Sequence, residues 1–210
     1  MFFKTNFSLK LPSIAQALGG RSQPLKITNS HHIHQRVIEP PFPKNFKIAL
    51  FGLGCFWGAE RVFWQLAGVY TTAVGYSGGI TPNPTYEEVC SGLTGHAEVV
   101  QVVFDPMQIG YLTLLSTFWE AHDPTQGMCQ GNDVGTQYRS CIYTTDEEQA
   151  ELAIKTKKRY EAILMATKRS PITTEIAKAT IFYYAEDPHQ QYLSKNPTGY
   201  CGLSSTGINF

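Results

Sequence analysis

KIALFGLGCFWGAERVFWQLAG, residues 47–68, is the stretch on which the fold turns. Its first part, residues 47–53, is a short apolar run closed by glycine, which reads as a buried strand. After Gly54 the spacing changes: Cys55, Ala59, Val62 and Leu66 recur at helical intervals, and Gly68 supplies the stop. The order is therefore strand, glycine, helix, with Cys55 opening the helix.

Downstream, VYTTAVGYS (69–77) is a second strand, and the loop SGGITPNP ends at Thr85, which with Glu88 forms a capping box over a short helix holding Tyr86. Ala97–Phe104 alternates as a third strand, and YLTLLSTFWEAH (111–122) is an amphipathic helix. HDPTQGMCQGNDVGTQY (122–138) is too long and polar for a plain connector, so a functional or mobile loop is expected. RSCIYT (139–144) reads as a strand. Thr145 and Glu148 then cap a long helix whose acids lead and whose lysines follow, matching the helix dipole. ATIFYYAE (179–186) is the last strand, with Asp187 and Pro188 as N-cap and first residue of a final short helix. Strands mixed with unequal helices predict an α+β fold, helices packed on a mixed or antiparallel sheet.

Upstream, Pro40, Pro41 and Pro43 exclude a helix or central strand, so residues 1–45 form an arm, 46–195 the domain, and 196–210 a tail made flexible by Gly199, Gly202 and Gly207. The arm holds six basic residues against one acid, Glu39, a mild echo of an organelle transit peptide; a wrapped arm is the favoured reading. His31, His32 and His34 on it are expected to be solvated rather than metal-bound.

Across the whole chain, 17 Lys+Arg balance 17 Asp+Glu, which removes the basic footprint of a nucleic-acid binder. No apolar run approaches a membrane span, and the five cysteines, without a Cys-x-x-Cys, suit neither a disulfide framework nor a zinc ribbon. A soluble, cytoplasmic protein with free thiols is expected.

Three residues suggest chemistry. Cys55 at a helix start sits among unpaired N–H groups that stabilise a thiolate, and Phe56 and Trp57 beside it can form an apolar pocket for a methyl or thioether. Glu98 begins a strand whose same-face neighbours, Val100, Val102 and Phe104, are apolar, so desolvation there would make it a proton donor near neutral pH. Cys201 lies between Gly199 and Gly202 and has the freedom of a resolving cysteine or of an incidental tail thiol. Cys141 belongs to the core, and Cys90 and Cys129 have no assignment. His96 or His122 as a base for Cys55 keeps a Cys-His acyl-transfer enzyme open as an alternative.

GCFWGAE, followed in order by GYSGG, NPTYEEVCSG, TGHAEVV, HDPTQG, GNDVGTQYRS, EDPHQQYL and GYCG, resembles the A-type peptide methionine sulfoxide reductases over roughly residues 48–203. The resemblance implies a two-layer α/β sandwich of ferredoxin-like type that reduces methionine S-sulfoxide, free or in proteins. It places the nucleophile on Cys55, the methyl-binding aromatics on Phe56 and Trp57, the acid on Glu98, two hydroxyls for the sulfoxide oxygen on Tyr86 and Tyr138, a pocket aspartate on Asp133, and the resolving thiol on Cys201. It further implies thioredoxin as reductant, no metal or organic cofactor, and a monomer. One departure stands out: no cysteine follows Cys201, so a three-thiol relay would need Cys129. A module that binds oxidised methionine or thioredoxin without turnover is the remaining alternative.

Overall fold

The computed structural model describes residues 9–210; the first eight residues of the expected arm lie outside it. Among the described residues six strands form one mixed sheet, in the order β7 (Glu175–Lys178), β6 (Cys141–Thr144), β1 (Lys47–Gly52), β3 (Ala97–Phe104), β2 (Val69–Ser77) and β8 (Tyr183–Tyr184). At its centre are β1, β2, β3 and β6, paired antiparallel with β1 and β3 side by side. The helices α1 (Phe56–Trp64), α3 (Tyr111–Ala121) and α4 (Glu147–Ala166) pack on one face around Phe51, Val100, Val102, Phe104 and Ile142. That is the expected two-layer arrangement.

β1 reads as an unbroken apolar run because both its faces are buried. Ala49 and Phe51 point to the helices, whereas Leu50 packs with Val99 and Tyr143 on the other face. Phe51, with no exposed surface, stacks 5.0 Å from Phe63 and 5.4 Å from Phe118. Burying a ring of this size contributes roughly 1.5–3 kcal/mol, which holds α1 and α3 to the sheet. α1 itself ends at Trp64, earlier than the Leu66 of the expected stripe, and buries Phe56, Gly58, Ala59, Glu60, Phe63 and Trp64, most of its circumference.

The capping box of Thr85 and Glu88 is present over α2 (Tyr86–Cys90). Other boundaries differ. α4 is capped by Asp146, whose side chain accepts from the Gln149 N–H, one residue after the expected Thr145. The strand expected at 179–186 shrinks to β8 (Tyr183–Tyr184), while β7 (Glu175–Lys178), unforeseen, pairs parallel to β6 across α4. The expected helix at Asp187 starts later, as α5 (Tyr192–Lys195), because Asp187 instead accepts from the Thr28 N–H (2.6 Å) and hydroxyl (2.8 Å). The long loop contains a small hairpin, β4 (Cys129–Gln130) with β5 (Asp133–Val134), and a 3-10 turn, Thr136–Tyr138.

The arm wraps the domain, and of its histidines His32 is exposed as expected whereas His31 and His34 are not solvated. His31 is fully buried, stacked 4.4 Å from His34, and its Nε2 lies 3.0 Å from the Thr72 hydroxyl. The tail has no regular structure, yet it is packed. Tyr160 hydroxyl meets Thr206 and the Ile208 carbonyl at 2.8 Å each, and Arg159 lies over the Phe210 ring. Among the described residues no helix is long and apolar enough to cross a membrane.

Candidate active site

Cys55 is the N-cap residue of α1, delivered there by β1 and the turn at Gly54. That turn needs glycine twice over: φ is +100°, and a Cβ would lie 2.6 Å from Gln130 Cγ. The thiol is almost fully buried. Burial, reinforced by the charge of Glu98, pushes its pKa well up, against the opposing pull of the Trp57 and Gly58 N–H groups. Desolvation thus opposes the thiolate that the helix start favours.

Glu98 sits near the beginning of β3, opposite Tyr76 on β2, 1% exposed. Its Oε2 accepts the N–H of Phe56 at 2.9 Å, which ties the carboxyl to the first helical residue after Cys55. Burial, with a contribution from the charge of Asp133, raises its pKa to about 8, so at neutral pH it carries a proton. The strand pattern anticipated this side chain at the core's edge; it lies fully inside.

Tyr86, first residue of α2, and Tyr138, last of the 3-10 turn, come from distant loops to the same place. Burial and then the charge of Glu98 push both hydroxyls upward, and Tyr86 also senses Tyr138. Asp133, on β5, accepts the Tyr200 hydroxyl at Oδ1 (3.1 Å), while its Oδ2 is buried without a partner. Burial raises this carboxyl as well.

Phe56 and Trp57 line an aromatic box whose other walls the sequence reading did not single out. Trp57 donates from Nε1 to His189 Nδ1 at 3.1 Å and stacks on Tyr192 at 4.0 Å. His189 also lies 4.3 Å from the Tyr86 ring and 5.6 Å from Phe56. The signal was present in EDPHQQYL, where His189 and Tyr192 stand three residues apart, but a turn rather than a helix brings them round.

Cys201 reaches the site through the docked tail. A Cβ on Gly58 would lie 2.8 Å from Cys201 Sγ and 3.0 Å from Leu203 Cγ, so the glycine one turn into α1 is what admits the tail. Gly202 passes beside Asp133 and Gly131, closing the tail against the hairpin. All five cysteines are free thiols, and Cys129 donates to the Gln126 carbonyl at 2.9 Å. Cys90, unassigned from sequence, lies one helical turn after Tyr86 and shares a hydrogen bond with it.

The two histidines that could have served Cys55 as a base are occupied elsewhere. His96 pairs with the Gly79 N–H and the Thr81 carbonyl, and His122 with the Phe118 carbonyl and the Ser140 hydroxyl. Burial lowers the pKa of both, that of His122 to about 4. A Cys-His acyl-transfer site is thereby removed. What remains is a buried thiol beside a protonated carboxyl, two tyrosines and an aromatic box, with a second thiol at hand: a site that can protonate an oxygen and attack what it is bound to.

The model of the peptide methionine sulfoxide reductase family matches residues 47–208. The peptide methionine sulfoxide reductase MsrA of Azotobacter vinelandii is 62% identical over 200 residues, spanning 95% of this chain and 93% of its own. Among solved structures, methionine sulfoxide reductase A of Corynebacterium diphtheriae is 46% identical, covers 95% of this chain and 97% of its own, and superposes with a TM-score of 0.87. Reduced Mxr1 from Saccharomyces cerevisiae, 33% identical, covers 78% of this chain and 94% of its own, with a TM-score of 0.72.

Proposed function

This chain belongs to the peptide methionine sulfoxide reductases, A type, and from that membership we propose that Cys55 and Glu98 together take the oxygen from methionine S-sulfoxide, free or in proteins. The observation that carries the reading is the carboxyl of Glu98, buried, protonated at neutral pH and tied at 2.9 Å to the residue after Cys55.

The substrate methyl lies in the box of Phe56, Trp57 and Tyr192, and the sulfoxide oxygen faces Glu98 and the hydroxyls of Tyr86 and Tyr138. Asp133 Oδ2, buried and unpartnered, accepts an N–H of the substrate. Glu98 gives its proton to the oxygen, which makes the sulfur electrophilic; Cys55 Sγ attacks that sulfur as its own proton passes to the carboxylate just formed, and the hydroxyl then moves from the methionine sulfur to Sγ as the transient S–S bond breaks. The oxygen ends on Cys55 as a sulfenic acid, and methionine leaves with its sulfur reduced. Glu98 is thus acid and then base, and no net proton is taken from water.

Cys201 Sγ then displaces the sulfenic oxygen as water and forms a disulfide with Cys55, supported by its seat against Gly58. A dithiol protein, thioredoxin, returns both thiols by exchange with this disulfide. Cys55→Ser tests the scheme at its first step. With one equivalent of sulfoxide and no reductant, the wild type releases about one equivalent of methionine and Cys55→Ser none, because a serine hydroxyl is a poor nucleophile toward sulfur. Release by the variant at the wild-type rate would remove Cys55 from the chemistry.

A further inference from the structure

The turn at residues 187–194 carries His189 and Tyr192, the two rings that back Trp57, and it is fastened from outside by the N-terminal arm. Thr28 donates twice to Asp187, and the His32 N–H donates to Gln191 Oε1 at 3.0 Å while its Nδ1 lies 2.7 Å from the Ser194 hydroxyl. A third fastening runs through the interior. His31 Nδ1 accepts the N–H groups of Ile33 and His34, so its Nε2 carries the proton and donates to the Thr72 hydroxyl. Thr72 has one hydrogen and gives it to Glu60 Oε1 at 2.9 Å. The Glu60 carboxyl, wholly buried, then accepts the Gln191 N–H and side-chain amide at 2.7 Å each, holding Gln191 in a left-handed conformation with φ at 47°.

Every hydrogen in this chain has one direction, and nothing in it touches Cys55 or Glu98. Left-handed backbone at a non-glycine residue persists only where its surroundings enforce it, and here the enforcing groups are Glu60 and, behind it, the arm. The family model begins at residue 47, so the arm lies outside the part of the chain that it describes.

Resting on the reductase reading of the site, we propose that residues 28–34 of the arm are a positioning strap: through His31, Thr72 and Glu60 they fix the turn that backs Trp57 and so set the pocket's affinity for the methionine sulfoxide side chain. Thr72 is the link whose loss cuts the interior route from arm to turn while the outer bonds of Thr28 and His32 remain, and it is a positioning residue, since it reaches the pocket only through Glu60 and Gln191. Preorganising a pocket wall acts on binding, whereas the reacting groups stand on α1 and β3 and keep their places.

The test uses the full chain. Thr72→Val is expected to raise the half-saturating concentration of methionine sulfoxide in single turnover by about three- to tenfold, with the saturating rate within about twofold of wild type. Thr72→Ser, which restores the hydroxyl, should return both to wild type. Amide exchange at Gln191 should quicken in Thr72→Val by about tenfold while amides of β1 and β3 keep their protection. Thr28→Val/His32→Ala, confined to exposed anchors, should shift half-saturation the same way, and it decides the matter if Thr72→Val does not fold. An unchanged half-saturation, a loss confined to the saturating rate, or exchange quickened equally throughout the sheet would overturn the strap. If the wild type released no methionine, the reductase reading would fall, and calorimetric binding of the sulfoxide to the same variants would still decide the strap.

Discussion

Glu98 is held where a carboxylate is costly, and two consequences follow with opposite signs. Unfolded, the carboxyl loses its proton near the ordinary 4.5; folded, it keeps it until about 8. Its stability contribution is therefore full below about pH 4.5, declines as pH climbs, and is lost by the time pH passes 8. In the proposed mechanism the same window keeps the proton available for the sulfoxide oxygen. Methionine release in single turnover is expected to hold up to about pH 7 and to fall toward tenfold per pH unit above 8, while Glu98→Gln is slower by roughly 10²–10⁴-fold at pH 7 and lacks that limb. The variant should also unfold at higher denaturant at pH 8 than the wild type, since an amide carries no charge to bury. A flat wild-type profile from pH 6 to 10 would contradict this account of Glu98. Gly58 makes the complementary prediction for the second thiol. Gly58→Ala favours the helix by about 1 kcal/mol, yet its Cβ would meet Cys201 Sγ at 2.8 Å, so the tail must shift. The first methionine should appear at the wild-type rate and the disulfide several-fold later, as read by quenched alkylation; an unslowed disulfide would show that the tail does not dock there in turnover.

At the scale of elements, what could be read from sequence was what local chemistry decides. The box of Thr85 and Glu88 over α2 is four consecutive residues closing on themselves, and the apolar run of β1 followed by Gly54 and Cys55 is equally local. Asp187 looked like a helix cap by the same rule and is not one, because Thr28, far off in sequence, claims its carboxylate. β7 escaped notice since a half-buried edge strand of four residues has no alternating pattern, and only α4 returns the chain to lie beside β6. In the site, Cys55, Phe56, Trp57 and Glu98 were legible from their neighbours, and Tyr86, Tyr138 and Asp133 only through the family resemblance. His189, Tyr192 and Glu60 were not, because their roles arise from contacts between segments more than a hundred residues apart. The cap of α4 gives a control for this scale. Asp146→Ala removes the bond to the Gln149 N–H and should cost about 1 kcal/mol in urea unfolding with single-turnover release unchanged; a loss of activity would mean that α4 bears on the site directly.

For the molecule as a whole, residues 28–34 of the arm and the tail converge on one pocket. The arm ties down the turn behind Trp57, and the tail, anchored by Tyr160, Arg159 and the Ser205 bond to the Glu120 carbonyl, carries Cys201 to the start of α1. The central claim is that this tail closes a two-thiol cycle. Peptide mapping by mass spectrometry after one equivalent of methionine sulfoxide, with no reductant, tests it most directly. The account predicts about one equivalent of methionine, one disulfide between Cys55 and Cys201, and Cys90, Cys129 and Cys141 still free. A disulfide that includes Cys129 or Cys90, or methionine released with Cys201 remaining a free thiol, would contradict it.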